Sequence, residues 1–333
     1  MEWGRLGQAL TAREIFDLIR DDLRRVDDVI GVESFASVDA ITDISRYLHG
    51  NGGKRLRPSL LLLSSRLAGP GGEGAIRLAA VVEMVHTATL VHDDVIDEAE
   101  TRRGRPSTNV QWGNHTSVLA GDWLYMQAFQ IALRERNFQV LDILINLTQM
   151  MVEGELLQLE RIGRIDISEA DYMELVDRKT AGLFSACTRL GALIGGAGAA
   201  AEEKLGEYGW NLGMAFQLVD DVLDFTAREQ VLGKPTGSDL REGKTTLPLI
   251  YALEHASVEE RRPVELILQD GSYDRVPFLQ VLDLIEKYRG FERARERALA
   301  FTEKARRIIS EFPDSPYQRA LYAVTDLVTE REY

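Results

Sequence analysis

The amino-acid sequence predicts an all-α fold, and three features carry that prediction. Apolar residues recur at steps of three and four, no convincing strand alternation interrupts them, and Gly or Pro clusters cut the pattern into helix-sized pieces. Ala294, Ala298, Phe301, Ala305, Ile308 and Phe312 trace one helix face, and Val140, Leu144, Leu147 and Met151 trace another. The clusters at 50–53, 69–74, 195–198, 233–237 and 313–316 read as loops. Roughly a dozen helices of ordinary length fit such a chain. With no obvious linker, residues 1–333 are expected to form a single all-α domain.

Composition narrows the chemistry. Against 39 Lys and Arg stand 53 Asp and Glu, a formal net charge of −14, so the surface as a whole repels nucleic acid and anionic membrane. Any anion must therefore be bound by a local basic cluster. The single cysteine, Cys187, excludes an intrachain disulfide framework and cysteine-based zinc or iron–sulfur sites. The five histidines, at 49, 86, 92, 115 and 255, form no metal-ligand spacing such as HExxH. Met1 to Leu10 does not read as a signal peptide. The longest uncharged small or apolar run, Leu190 to Ala201, is too short to span a bilayer. A cytoplasmic protein without stable membrane insertion is expected.

Leu78 to His92 is apolar on nearly every side, as suits a helix at the centre of a bundle, yet it runs into Asp93, Asp94 and Asp97. Carboxylates at the C-terminal pole of a buried helix conflict with both desolvation and the macrodipole. Such conflicts between local propensity and position mark functional sites. Leu-Val-His-Asp-Asp-Val-Ile-Asp (90–97) is answered by Gln-Leu-Val-Asp-Asp-Val-Leu-Asp (217–224). On a helix, positions i, i+1 and i+4 lie within about 100°. Asp93, Asp94 and Asp97 are thus expected on one face and Asp220, Asp221 and Asp224 on another, both towards one cavity. Six facing carboxylates need cations, and oxygen donors without His or Cys select Mg²⁺, which is readily shared with phosphates. A solvated charged face would account for one such cluster but poorly for two near-copies in apolar flanks. A glycosidase pair needs fewer acids, and neither cluster has the loop pattern of an EF-hand.

Basic residues recur in four places: Gly52-Gly53-Lys54-Arg55-Leu56-Arg57-Pro58, Arg102-Arg103-Gly104-Arg105, Lys179-Thr180, and Lys234 with Lys244 about a Gly-rich loop. Pro58 suits a first helical position. Together with two acidic faces they describe sites for two diphosphates. Two look-alikes fail on context. Gly237 to Thr245 has the wrong spacing for a P-loop and no preceding strand, and Gly196 to Ala201 lacks the βαβ unit of a dinucleotide site.

These residues resemble the trans-polyprenyl diphosphate synthase family, in its long-chain, octaprenyl- or solanesyl-like branch. The matching pieces are GGKRLRP (52–58), HDDVIDEAETRRGRPS (92–107), GD (121–122), KTA (179–181), FQLVDDVLDF (216–225) and GKPTGSDLREGKTTLP (233–248), in family order. The resemblance implies a homodimer of isoprenoid-synthase-type helical bundles, each around a deep central cavity. It implies head-to-tail condensation of an allylic diphosphate (farnesyl or geranyl) with isopentenyl diphosphate, with three Mg²⁺ ions per active site. By the same resemblance Asp93, Asp94, Asp97 and Asp220 bind Mg²⁺, with Asp221 and Asp224 supporting the second side. Arg102, Lys179, Lys234 and Lys244 hold the allylic diphosphate, and Lys54, Arg57, His86 and Arg103 hold isopentenyl diphosphate. Thr180 and Gln217 line the reaction centre. For His86 the competing reading is a satisfied core histidine.

Product length is expected to follow from Ala88 and Thr89, small residues one turn before Asp93, where family members with short products carry bulky aromatics. Met84, Val85, Val81 and Val82 follow, so a floor is expected from a facing helix, at Phe129 or Met126. The expected product is a C30 to C45 all-trans chain for a quinone. A geranylgeranyl diphosphate synthase or a non-catalytic subunit of a heteromeric synthase are the alternatives, and GGKRLRP argues against a terpene cyclase.

Overall fold

The computed structural model describes residues 11–50, 55–102, 104–227 and 236–329. The order of elements is α1 (Ala12–Asp17), α2 (Arg20–Glu33), α3 (Asp39–Gly50), α4 (Leu56–Ala68) and α5 (Glu73–Ile96), followed by a minimal hairpin of β1 (Thr101–Arg102) and β2 (Arg105–Pro106). Then come α6 (Thr108–Trp112), α7 (Asn114–Leu133), α8 (Phe138–Arg161), α9 (Glu169–Val176), a π-helical turn (Asp177–Ala181), α10 (Gly182–Gly195) and α11 (Ala199–Thr226). The chain ends with α12 (Ser238–Arg241), α13 (Leu247–Leu253), α14 (Val258–Asp270), α15 (Phe278–Lys287), α16 (Gly290–Ser310) and α17 (Pro316–Thr329). The fold is all-α as expected. Seventeen α-helices among the described residues exceed the expected dozen because several are single turns or little more. The two-residue strands pair antiparallel, Arg102 with Arg105, and are too short to leave an alternation in the sequence.

The expected helix faces are the buried ones. Val140, Leu144, Leu147 and Met151 of α8 and Ala294, Ala298, Phe301, Ala305 and Ile308 of α16 all lie in the core. Pro58 occupies the third position of α4 rather than the first, still in the turn whose N–H groups have no helical partner. Helix α5 is the central element, buried from Ala75 to Val85 on almost every side. By length and composition alone it is also long and apolar enough to cross a membrane. Of its most apolar window, 67% is buried inside the protein, the pattern of a core helix.

Helix α10 packs between α4 and α11, α11 packs on α16, and α5 lies along α7. The α4–α10 contact is so close that a Cβ at Gly191 would sit 2.3 Å from the Leu61 carbonyl oxygen. Adding that one methyl group forces two buried helices apart. Gly191→Ala should lower unfolding free energy by about 1–3 kcal/mol in a denaturant titration.

Candidate active site

A cavity of about 630 Å³ runs between α5, α8, α9, the π turn and α11. Its volume is in the ~300–1,000 Å³ range of small-molecule sites. One part of its wall is charged: Asp93, Arg102, Glu155, Lys179, Asp220, Asp221, Asp239 and Lys244. Another is apolar, including Leu90, Val118, Met151, Leu156, Leu159 and Leu183.

The three acids of the first cluster do not share one surface. Residues one apart on a helix point about 100° apart, and residues four apart about 40°. Asp93 accordingly faces the cavity, and Asp97 accepts from Lys244 Nζ at 3.0 Å. Asp94 turns away and is buried, bound by the Arg102 guanidinium, whose Nε lies 2.7 Å from Oδ1. In the second cluster Asp220 and Asp221 line the cavity. Asp224 is buried and not on the cavity wall; its Oδ2 accepts the Asp239 amide at 3.3 Å, tying the end of α11 to α12.

The basic residues around the cavity are paired with neighbouring groups. Lys179 Nζ lies 2.5 Å from Glu155 Oε2 and donates to Gln158 Oε1 at 3.1 Å. It is carried on the π turn, a local unwinding frequent at functional sites. Gly154 makes this pairing possible, since a Cβ there would lie 2.9 Å from Arg178 Cβ and hold α8 off the turn. Arg57 and His86 both reach the cavity, with Arg57 Nη1 3.1 Å from His86 Nε2 and the guanidinium over the Phe184 ring at 5.3 Å. His86 therefore lies on the cavity wall and is no sealed core histidine. Lys54, Arg103 and Lys234 lie outside the described residues.

Beside the charged end runs a chain of hydrogen bonds. Thr180 Oγ1 donates to Gln217 Oε1 at 2.8 Å, and Gln217 Nε2 donates to Asp221 Oδ1 at 2.8 Å. The Tyr172 hydroxyl donates to the other Asp221 oxygen at 2.6 Å. Ser168 caps α9 and sets the turn that presents Tyr172. Burial holds the Asp221 carboxyl well above the usual carboxylate range, and nearby Asp239 adds to this, while the two donors pull the other way. Desolvation pushes Asp93 up to about 6; Lys179 and Arg102 oppose the shift, and Glu155 and Asp97 reinforce it. In both cases burial is the leading cause, and neighbouring carboxylates add to it.

The expected chain-length positions separate. Thr89 lines the cavity, one turn below Asp93. Ala88 is fully buried and absent from the wall, because five residues rotate it about 140° from Asp93. Phe129 and Met126 line a separate surface depression on α7, with Met126 63% exposed, so neither supplies the floor of this cavity. The aromatic that α7 does present is Tyr125, whose ring packs near His92.

Sequence reasoning did not single out Glu155, Gln158, Tyr172, Tyr125 or Asp239 as site residues. Glu155 and Gln158 carried a signal, two polar groups three apart on the face of α8 that also bears buried Met151. Tyr172 carried none, because its partner is 49 positions away.

Among the described residues no three His, Cys, Asp or Glu side chains converge as a ready cage for a metal ion. Asp94 and Asp97 are instead neutralised by Arg102 and Lys244. The donor set nevertheless fits Mg²⁺: oxygen ligands only, with Asp93 and Asp220 on two helices facing one cavity and Asp93 short of counter-charge. Mg²⁺ takes few protein carboxylates and completes its shell with water and substrate phosphate. Above its folded pKa, ionised Asp93 lowers the stability of the metal-free protein. That loss shrinks as pH falls from about 6 towards the ordinary value of 3.8. Asp93→Asn should therefore stabilise the chelator-treated protein at about pH 7.5, by roughly 1–2 kcal/mol, and by less at about pH 5, in chemical denaturation.

Comparison with known proteins points to one family. The polyprenyl synthetase family pattern matches residues 38–284. An octaprenyl diphosphate synthase of Haemophilus influenzae is 38% identical over 321 residues, spanning 96% of this chain and 97% of that protein. A geranylgeranyl diphosphate synthase of Sulfolobus acidocaldarius is 41% identical over 270 residues, 79% of this chain and 82% of that one. Among solved structures, a polyprenyl synthase of Caulobacter crescentus complexed with calcium and isoprenyl diphosphate superposes with a TM-score of 0.92 at 35% identity, covering 97% of this chain and 99% of that chain. By the family pattern and by near-full-length relatives, this chain belongs to the polyprenyl synthetase family.

Proposed function

We propose that this chain is a Mg²⁺-dependent trans-prenyltransferase that condenses an allylic diphosphate with isopentenyl diphosphate into a long-chain polyprenyl diphosphate. The observation that carries the reading is a single cavity lined by Asp93 and Asp220 from two helices, by basic residues and by apolar side chains. Bound Mg²⁺ would supply Lewis-acid stabilisation of the departing diphosphate, held by Asp93, Asp97 and Asp220.

The chain's own residues do the rest. Lys179, Lys244 and Arg102 exchange their carboxylate partners for the diphosphate oxygens of the allylic substrate. They meet the negative charge that builds as the carbon–oxygen bond breaks and its electron pair leaves with diphosphate. The Thr180 hydroxyl oxygen and the Gln217 amide oxygen are held by the bond between them and offer electron density beside the allylic cation. Arg57 and His86 orient isopentenyl diphosphate so that its double bond attacks that cation. The proton lost afterwards passes to the departed diphosphate. Apolar walls exclude water, which would otherwise quench the cation.

Heptad-spaced apolar residues support a homodimer. Leu119, Met126 and Leu133 on α7, and Phe138, Ile145, Val152 and Leu159 on α8, are all exposed. A seven-residue repeat is the pattern by which helices pack on partner helices, and a patch of this kind marks an interface. Val152 and Leu159 also line the cavity, so a second copy would close it as well as cover it. Residues 1–333 would act as one catalytic domain, cytoplasmic and not membrane-inserted, with α5 spent on the core.

The second reading, a geranylgeranyl diphosphate synthase, is favoured by the 41% identical relative. The small Thr89 under the charged end favours the longer product. Chromatography of products from farnesyl and isopentenyl diphosphates decides, with a C20 limit supporting the second reading. Asp93→Ala and Asp220→Ala should each lower kcat by about 10²–10³-fold, and wild-type turnover from either would sink the assignment. Thr89→Phe should shorten the product, whereas Ala88→Phe should destabilise the protein by about 1–3 kcal/mol through overpacking. Ile145→Glu should yield monomers by light scattering.

A further inference from the structure

A second charged cluster lies beside the site, on the face of α5 next to the one that lines the cavity. Arg55, the residue before α4, donates from Nη1 to Glu83 Oε1 at 2.6 Å and from Nε to Asp27 Oδ1 at 3.1 Å, with Nη2 3.4 Å from His49 Nδ1. Glu83 is 5% exposed, on the inner part of α5. The Arg55 guanidinium is thus occupied by protein groups, and Arg55 is not on the cavity wall.

The Arg55 backbone is left-handed, at φ 48°, ψ 31°, a conformation that costs a residue with a side chain. Such strain persists where surrounding contacts over-determine it. Here they do: carboxylates of α2 and α5 grip the side chain, and the Arg55 carbonyl accepts from both the amide and the hydroxyl of Ser59. Two residues on, Arg57 enters the cavity, and three residues beyond Glu83, His86 meets it. Two ties therefore cross from the start of α4 to one stretch of α5, a buried ion pair at 55–83 and the ligand-facing pair at 57–86. At the other end of the same face of α5, Arg102 grips Asp94 in the same manner.

We propose that Arg55, through Glu83 and Asp27, is a positioning residue for the isopentenyl diphosphate subsite, setting the backbone from which Arg57 reaches His86. This deepens the proposed function and rests on it. The pair aligns the α4 side of the cavity, whereas the allylic side depends on Lys179 and Lys244, which sit on other elements. Loss of the pair should therefore act on one substrate.

The test is steady-state kinetics of the full chain with Mg²⁺, farnesyl diphosphate and isopentenyl diphosphate, for Arg55→Met, Glu83→Gln and Arg55→Lys, with folding followed by circular dichroism. Arg55→Met and Glu83→Gln should raise KM for isopentenyl diphosphate about tenfold or more, leaving KM for farnesyl diphosphate unchanged and kcat within about threefold. Arg55→Lys should recover part of the loss. If Arg55→Met does not fold, Glu83→Gln alone decides. Folded variants with an unchanged KM for isopentenyl diphosphate, or with both KM values moved equally, overturn the inference while the proposed function stands. A parent chain that binds and consumes neither diphosphate overturns both.

Discussion

Uncompensated carboxylate is the constraint on which this structure turns. Two helices, α5 and α11, bring acid-bearing ends to one low-dielectric cavity, where ionised carboxylates are strongly disfavoured unless cations meet them. Without ligands the protein answers with its own bases: Arg102 on Asp94, Lys244 on Asp97, Lys179 on Glu155. Each of these bases is also a group suited to diphosphate. Substrate and Mg²⁺ would enter as a set, the anion taking the bases and the cation taking the acids, so that net charge inside changes little.

Rigidity around that exchange comes from the apolar fold. Helix α5 is surrounded by side chains along most of its length, and its close neighbours meet through glycines where a methyl group would not fit. At Gly121 on α7 a Cβ would lie 2.2 Å from His92 Nε2, immediately before the first aspartate of the cluster. The His92 ring, next to Asp93, is thereby held directly against α7. The hydrogen-bond chain from Thr180 to Tyr172 holds Asp221, and the Asp239 amide holds Asp224. Charge can be rearranged within the cavity because the scaffold is not rearranged with it.

Much of the site was legible in advance, for a physical reason. Acids at the end of an apolar helix violate local preference, and the repetition of that violation at 90–97 and 217–224 could be seen without coordinates. Asp93, Asp220, Arg57, His86, Lys179, Thr180, Gln217 and Lys244 are all found on the cavity wall or bound to residues there. What misled was angular. Counting three aspartates as one face ignored the 100° between neighbours, which sends Asp94 to Arg102 and Ala88 into the core.

The sequence by itself determined the helical class, the burial of α5, the acidic and basic composition of the site and the family, because periodicity and local charge are properties of short stretches of chain. Tertiary structure decided which members of each cluster meet. Tyr172 on Asp221, Lys244 on Asp97 and Arg55 on Glu83 join residues 49, 147 and 28 positions apart. It also decided that α7, through Tyr125 rather than Phe129 or Met126, faces the hydrocarbon wall. Such pairings depend on how whole helices rotate and approach in the packed core, and no local pattern encodes that rotation.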